Sequence, residues 1–263
     1  MTGALDTPLG ELIADRGRAA GLRVDTRAIG GATLVTCDGA PLDISVNRAF
    51  DVDAREAGVA AEIVADARRA GRRATLEIEL ESLGDAERGA LGALGLGKLW
   101  DLVALRRDLA SFVYAPPVGL QVRDVREDEA DAFAALALRA YGPPPPGFPA
   151  PDEAAQARKW AAFPRLGRAR CFFVEVDGVP CAIGMYSRLG TAALVDGAAT
   201  VVEMRGRGGQ AALLAHRFRE AHAEGARVAI TRTAAAASQR NLERAGMAVY
   251  RRVEVWGDAG GAA

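Results

Sequence analysis

The sequence predicts an α/β fold, of α+β character, in two domains. Three observations lead there. Segments with strand and helix patterning alternate along the whole chain. A stretch carrying paired prolines, Ser111–Gly119, separates two halves and stops any regular element. In the second half a strand, a glycine-rich turn and a helix follow one another between Ala198 and Ala223.

Taken in order, residues 8–20 pattern as a helix. Ala32–Cys37 and Asp43–Arg48 read as strands joined at Asp38-Gly39. Residues 54–70 are alanine-rich and helical, ended by Gly71. Thr75–Glu81 alternates Leu76, Ile78 and Leu80 against Glu77, Glu79 and Glu81, the pattern of a half-buried strand. A short helix over 85–94 and a strand over Trp100–Leu109 complete this half, which holds no strand–glycine loop–helix unit.

Beyond the linker, Leu120–Val125 reads as a strand and Glu127–Tyr141 as a helix. Gly142–Pro151 is too rich in proline for anything but an irregular loop. Asp152 caps a second helix ending near Phe163-Pro164. Arg170–Val176 and Ala182–Arg188 form a hairpin across Asp177-Gly178. Ala192–Val202 is strand, interrupted at Asp196-Gly197 by a second turn or a bulge. The glycine loop, a helix over 211–223, a strand at Val228–Ile230, a short helix over 238–245 and a last strand over Met247–Trp256 close the fold. The expected division is 1–115, 116–257 and a flexible tail at 258–263.

Composition narrows the function. The chain has 263 residues, 50% of them hydrophobic, enough for a sizeable core. Its net charge of −1 gives no reason to expect a nucleic-acid partner. The three cysteines, Cys37, Cys171 and Cys181, lack metal spacing and read as buried thiols of a reducing compartment. With only His216 and His222 in the chain, no metal is expected. No signal-peptide pattern opens the sequence and no apolar run reaches membrane-spanning length. The expectation is a cytoplasmic protein without a membrane partner, its oligomeric state open.

The loop Arg205-Gly206-Arg207-Gly208-Gly209-Gln210 carries the chemistry. A glycine-rich turn at a helix N-terminus leaves several backbone N–H groups pointing outward, and phosphates are the usual guests of such amides. A nucleoside triphosphate loop does not fit, because no Gly-Lys-Ser/Thr follows. Gly206-x-Gly208-x-x-Ala211 fits the bare dinucleotide pattern, but the next strand ends Thr231-Arg232-Thr233 with no acid for a ribose. An NADP reading through Arg232 is the residue of that idea. The pyrophosphate of coenzyme A is the third candidate.

Two motifs bear on the choice. Arg205-x-x-Gly208 matches the opening of the Gln/Arg-x-x-Gly-x-Gly/Ala loop of the GNAT acetyltransferase superfamily, with Gln210 departing at the sixth position. Ser238-x-Arg240-Asn241-x-x-Arg244-x-Gly246-Met247 resembles that family's later motif, which normally ends Gly-Phe. The C-terminal half is similar to this superfamily in element order as well. More loosely, Gly30-Gly31-Ala32, Asn47-Arg48-Ala49-Phe50 and the Leu91–Leu105 region resemble the non-catalytic first half of tandem two-domain members.

The resemblance implies two GNAT-like domains, each a mixed, mostly antiparallel sheet flanked by helices, the first without a coenzyme loop. It implies an N-acetyltransferase that moves an acetyl group from acetyl-CoA, as cosubstrate, to a small-molecule or peptide amine by direct attack. Thr200, Val201 and Val202 would lie beside the pantetheine arm, one of their amides polarising the thioester carbonyl. Losing one such donor typically costs on the order of 10²–10³ in rate. Arg207, Gly208, Gly209, Gln210 and Ala211 would hold the pyrophosphate, Arg205 and Arg207 adding charge, and Asn241 would contact the pantetheine or the adenylate.

Acid and base are harder to read. Many members place a tyrosine four residues before the Gly-Phe glycine to protonate the departing thiolate. That position here is Leu242, so Tyr250 or a water takes the role, or the thiolate leaves unassisted. Glu203, Asp196 and Glu175 are candidates for the base, Glu203 being nearest the cradle. Leu242 also keeps open a non-catalytic module of the same fold that binds coenzyme A or acts by interaction alone. Plain roles compete elsewhere. Ser238 reads as a helix N-cap, His216 and His222 as structural or exposed on a helix whose core stripe is Ala211, Leu214, Ala215, Phe218 and Ala221. Tyr141 and the proline loop stand where an acceptor groove is expected.

Overall fold

The structure is a computed structural model and describes residues 10, 14, 18, 23–38, 47–113, 119–143, 152–165 and 169–258. Its strands are β1 (Val24–Ile29), β2 (Ala32–Cys37), β3 (Arg48–Val52), β4 (Thr75–Glu79), β5 (Leu96–Asp108), β6 (Gln121–Asp124), β7 (Ala169–Val176), β8 (Val179–Leu189), β9 (Ala192–Thr200), β10 (Val228–Thr233) and β11 (Ala248–Asp258). Its α-helices are α1 (Ala57–Arg69), α2 (Asp85–Ala93), α3 (Ala130–Tyr141), α4 (Glu153–Arg165), α5 (Gly209–Ala223) and α6 (Ala236–Arg244). The expected helix over 8–20, the strand over Asp43–Arg48, the loop Gly142–Pro151 and the tail lie largely outside the described residues.

Two compact units divide the chain, one built on Leu105–Ala248, the other on Thr7–Ala104 with Val249–Ala263. The last strand thus belongs with N-terminal residues, because β11 pairs antiparallel with β4 from Val253↔Glu79 to Gly257↔Thr75.

In the unit built on Thr7–Ala104 the strand order is β1-β2-β3-β4-β11. β1 to β2 and β2 to β3 are antiparallel, and β3 to β4 is parallel. Strand β1 escapes the sequence reading because Asp25, Arg27 and Thr26 give it no apolar alternation. β4 corrects a second expectation. It ends at Glu79, with a 3-10 turn over Leu80–Ser82, and it is buried rather than half-buried. Glu77 is 4% exposed because Arg48 Nη1 donates to its Oε1 at 2.6 Å. The pair lets a carboxylate sit where alternation would put solvent.

In the unit built on Leu105–Ala248 the order is β10-β9-β8-β7-β6. β6, β7, β8 and β9 pair antiparallel in turn, and β9 to β10 is parallel. Both units therefore carry the mixed, mostly antiparallel sheet expected. The β7–β8 hairpin turns on Asp177 (φ 51°) and Gly178 (φ 77°), two consecutive left-handed residues that match the twist of the strands. Helix α3 buries Ala130, Phe133, Ala134, Ala137 and Ala140, with Phe133 against Phe173 at 5.9 Å between ring centres.

Helix α5 packs on β7, β8 and β9. Its buried face differs from the expected stripe. Ala211 is exposed and Ala215 half-buried, whereas Leu213, His216 and Arg217 are buried. The contact is close because β8 offers Gly184, where a Cβ would stand 2.3 Å from Leu213 Cδ2. Among the described residues no helix is long and apolar enough to cross a membrane, which leaves strand-built spans untouched.

Candidate coenzyme site

The site begins where β9 ends. β9 and β10 pair in parallel only from Val228↔Ala192 to Ile230↔Leu194, although β9 runs on to Thr200 and β10 to Thr233. Past Leu194 the two strands part, and among the described residues no other strand pairs with the edge of β9 that faced β10. On its other edge β9 stays on β8, but with a slip. Ile183 faces Ala199 while Met185 faces Asp196, so Gly197 and Ala198 oppose Gly184 alone. The interruption at Asp196-Gly197 is therefore a β-bulge and not a second turn, with Gly197 at φ 59°. A Cβ on Gly197 would stand 2.7 Å from Met185 Cγ and 3.5 Å from Trp160 Cζ3, so the indole lies against the bulge.

After β9 the chain makes a 3-10 turn over Val202–Met204 and enters the glycine loop. Gly206 (φ 79°) and Gly208 (φ 83°) are left-handed, and Gly208 is the N-cap of α5. Its carbonyl accepts from Ala212 N at 3.0 Å, closing the first helical turn. Among the described residues the amides of Gly206, Arg207, Gly208, Gly209, Gln210 and Ala211 donate to no acceptor. Thr200 Oγ1 is likewise buried without a partner, and a Cβ on Gly209 would lie 3.8 Å from it. Unbonded amides at the positive end of a 15-residue helix, beside an orphaned hydroxyl, fit an anionic group with acceptor oxygens.

The expected residues fall as follows. Gly208, Gly209, Gln210 and Ala211 line the helix start, and Thr200 lies beside it. Thr200 is the last residue of β9, and Val201 and Val202 lie beyond the strand, Val202 in the 3-10 turn. Val201 N donates to Cys181 O at 3.0 Å, and the carbonyls of Thr200, Val201 and Val202 accept from Arg205 Nε, Met204 N and Arg205 N. The open edge lies upstream, over 195–200. Arg205 turns inward, Nε to Thr200 O and Nη2 to Ala140 O, both at 3.1 Å, and braces the loop. Arg207 is exposed. Its charge acts on the buried thiol of Cys181, whose pKa burial pushes up and Arg207 draws back.

Asn241 is half-buried on α6, its Oδ1 accepting from Arg244 Nη1 at 3.0 Å. Leu242 beside it is 6% exposed, so an apolar side chain is buried at this position. Glu203 is exposed on the 3-10 turn. Glu175 is held by Arg123 Nε at 2.8 Å, which ties that carboxylate into the sheet. Tyr250 is 44% exposed on β11, in the other unit. Ser238 lies inside α6 rather than at its start, because the helix begins two residues earlier, where Thr233 Oγ1 accepts from Ala235 N at 3.1 Å. His222 is exposed. His216 is buried, its Nδ1 3.1 Å from Arg219 Nη2, and burial pushes its pKa down. Among the described residues no three or more of His, Cys, Asp and Glu are grouped to hold a metal ion.

Two side chains near the bulge were not anticipated. Trp160 of α4 stacks on Tyr141 at 5.2 Å, and Tyr141 is 48% exposed. Arg217 of α5 is 1% exposed beneath the bulge. Its signal in the sequence is a charged residue four places after Leu213 on an otherwise apolar helix face.

No protein-family model and no curated protein sequence matches the chain. Solved structures do. A GCN5-related N-acetyltransferase from Kribbella flavida is 18% identical over 99% of this chain and 98% of its own, with a TM-score of 0.68. A functionally unknown conserved protein from Staphylococcus epidermidis is 12% identical over 97% of this chain and 98% of its own, at a TM-score of 0.71. A tandem GNAT protein from the clavulanic acid biosynthesis pathway, solved without AcCoA, is 18% identical over 92% of this chain and 85% of its own, at a TM-score of 0.60. At these identities the likeness is one of fold, and the fold is that of the GNAT acetyltransferases.

Proposed function

We propose that the unit built on Leu105–Ala248 binds acetyl-CoA and passes its acetyl group to an amine. The observation that carries this reading is the row of unbonded amides from Gly206 to Ala211 at the start of α5, set beside strands that part. The amides hold the pyrophosphate. The open edge of β9 receives the pantetheine arm, and an amide of that edge stabilises the oxygen of the thioester carbonyl as charge builds there. The amine nitrogen attacks the carbonyl carbon, the carbon–sulfur bond breaks, and sulfur leaves with the electron pair. Glu203 takes the proton the amine loses, and water protonates the thiolate. Tyr141 and Trp160 border the acceptor side, which suits an amine carried on an apolar or aromatic body.

Calorimetry with coenzyme A, acetyl-CoA and ADP tests the cradle, and thiol release from acetyl-CoA over a panel of amines tests the transfer. Binding of coenzyme A with turnover on any amine supports the enzyme. Binding without turnover on any of them favours a second reading, a coenzyme-binding module. Leu242, buried where the acid would stand, is the observation behind that alternative. No binding of coenzyme A by the wild-type chain refutes both.

A further inference from the structure

We infer that Arg217 is a positioning residue for acyl transfer, its guanidinium fixing the bulge of β9 so that the parted edge of that strand presents its amides to the acyl carbonyl. This rests on the coenzyme site proposed above.

The geometry is specific. Arg217 Nε donates to Leu213 O at 3.3 Å within α5, and Nη1 donates to both Met185 O and Asp196 O at 3.1 Å. Met185 and Asp196 face each other in the β8–β9 register, and they are the pair at which the ladder slips. One nitrogen thus ties the two strands together at the step where β9 gains its extra residue. In a regular ladder these carbonyls would need no side chain. At the bulge they are buried acceptors, and Nη1, which carries two N–H groups, supplies a donor to each.

The choice of residue is costly for packing alone. A buried guanidinium is normally matched by a carboxylate, but among the described residues the partners of Arg217 are three backbone carbonyls and no carboxylate lies within ion-pair distance. Burial pushes its pKa down to about 10, with the charges of Asp196 and Tyr141 opposing the fall. An apolar side chain would fill the same volume without that penalty. What it could not do is hold two carbonyls and keep a positive charge behind the bulge, on the side from which a developing oxyanion gains stability.

The test separates positioning from mere stability. Acetyl-CoA labelled with ¹³C at its carbonyl is bound to the wild-type protein, Arg217→Lys and Arg217→Met, and the carbonyl resonance is read alongside the affinity for coenzyme A. The expected result is an affinity for coenzyme A within about threefold of wild type in both variants, since the loop is untouched. The displacement of the carbonyl resonance seen in the wild type shrinks in the lysine variant, whose ammonium lacks the Nε bond that anchors the guanidinium to Leu213 O, and vanishes in the methionine variant. With an accepted amine, kcat falls by about tenfold or more while the KM for acetyl-CoA holds. A wild-type resonance in both variants overturns the inference, and if the methionine variant does not fold the lysine variant decides alone. A wild-type protein that binds no acetyl-CoA instead refutes the coenzyme site itself.

Discussion

Arg205 Nε donates to the carbonyl of Thr200 over 3.1 Å, so the loop's first arginine is bound to the strand that precedes it. With its second bond, to Ala140 O at 3.1 Å, it joins the end of β9 to the end of α3. Arg205→Met removes charged donors from two carbonyls. The expected loss of stability is about 1–3 kcal/mol, read as a lower denaturation midpoint. Coenzyme A affinity falls with it, by about tenfold, as the loop loosens. Arg207 makes no hydrogen bond among the described residues. Arg207→Ala should leave the midpoint unchanged and weaken coenzyme A binding in a salt-dependent way.

Gly208 holds φ at 83° as the N-cap of α5. Nothing but Leu120 Cδ1, at 3.8 Å, stands near a Cβ placed there, so the strain of a substitution is in the backbone and not in a clash. Gly208→Ala should cost about 1–2 kcal/mol. Gly208→Asp adds a carboxylate among the amides and should abolish coenzyme binding with circular dichroism intact. Wild-type affinity in the aspartate variant would remove the cradle from the site.

Much of this site was legible before the fold. Glycine spacing after an apolar strand marks a turn and a helix start by backbone freedom alone, and that placed Gly208 and its neighbours. The bulge at Asp196-Gly197 was visible as an interruption, but a turn or a bulge satisfies the same dipeptide, and only β8 decides between them. The end of the strand at Thr200 was not legible, because Val202–Met204 close into a 3-10 turn that no periodicity announces. Arg217 and Glu77 escaped for a common reason. Pattern reading assigns charge to solvent, and burial of a charge depends on partners distant in the chain.

Arg48 and Glu77 make such a buried pair at 2.6 Å. Arg48→Met takes this cation away from the buried carboxylate of Glu77, which should destabilise the protein by about 3–5 kcal/mol. The double variant Arg48→Met with Glu77→Leu should recover most of that loss. Chemical denaturation of the single and double variants measures the coupling, and a double variant no better than the single one would contradict it.

His216 gives a pH dependence of known sign. Burial is the main cause of its lowered pKa, with the Arg219 and Arg170 charges adding and Glu220 and Asp124 opposing, while Phe172 packs edge-on at 5.0 Å. The unfolded histidine takes up its proton near 6.5 and the folded one only at lower pH. Stability is therefore complete above 6.5 and declines as pH falls from there to the folded value. Denaturation midpoints between pH 7.5 and about 5 should drop in the wild type, and His216→Phe should flatten that slope.

Glu203 is the group proposed to take the amine's proton, and pH tests that role. Glu203 is exposed, so its removal should not disturb the fold. Glu203→Gln is expected to lower kcat by about 10²-fold, with coenzyme affinity unchanged. The loss should shrink at higher pH, where the amine arrives already deprotonated and needs no base. Equal loss across the pH range for Glu203→Gln would mean that this carboxylate positions the acceptor rather than accepting its proton.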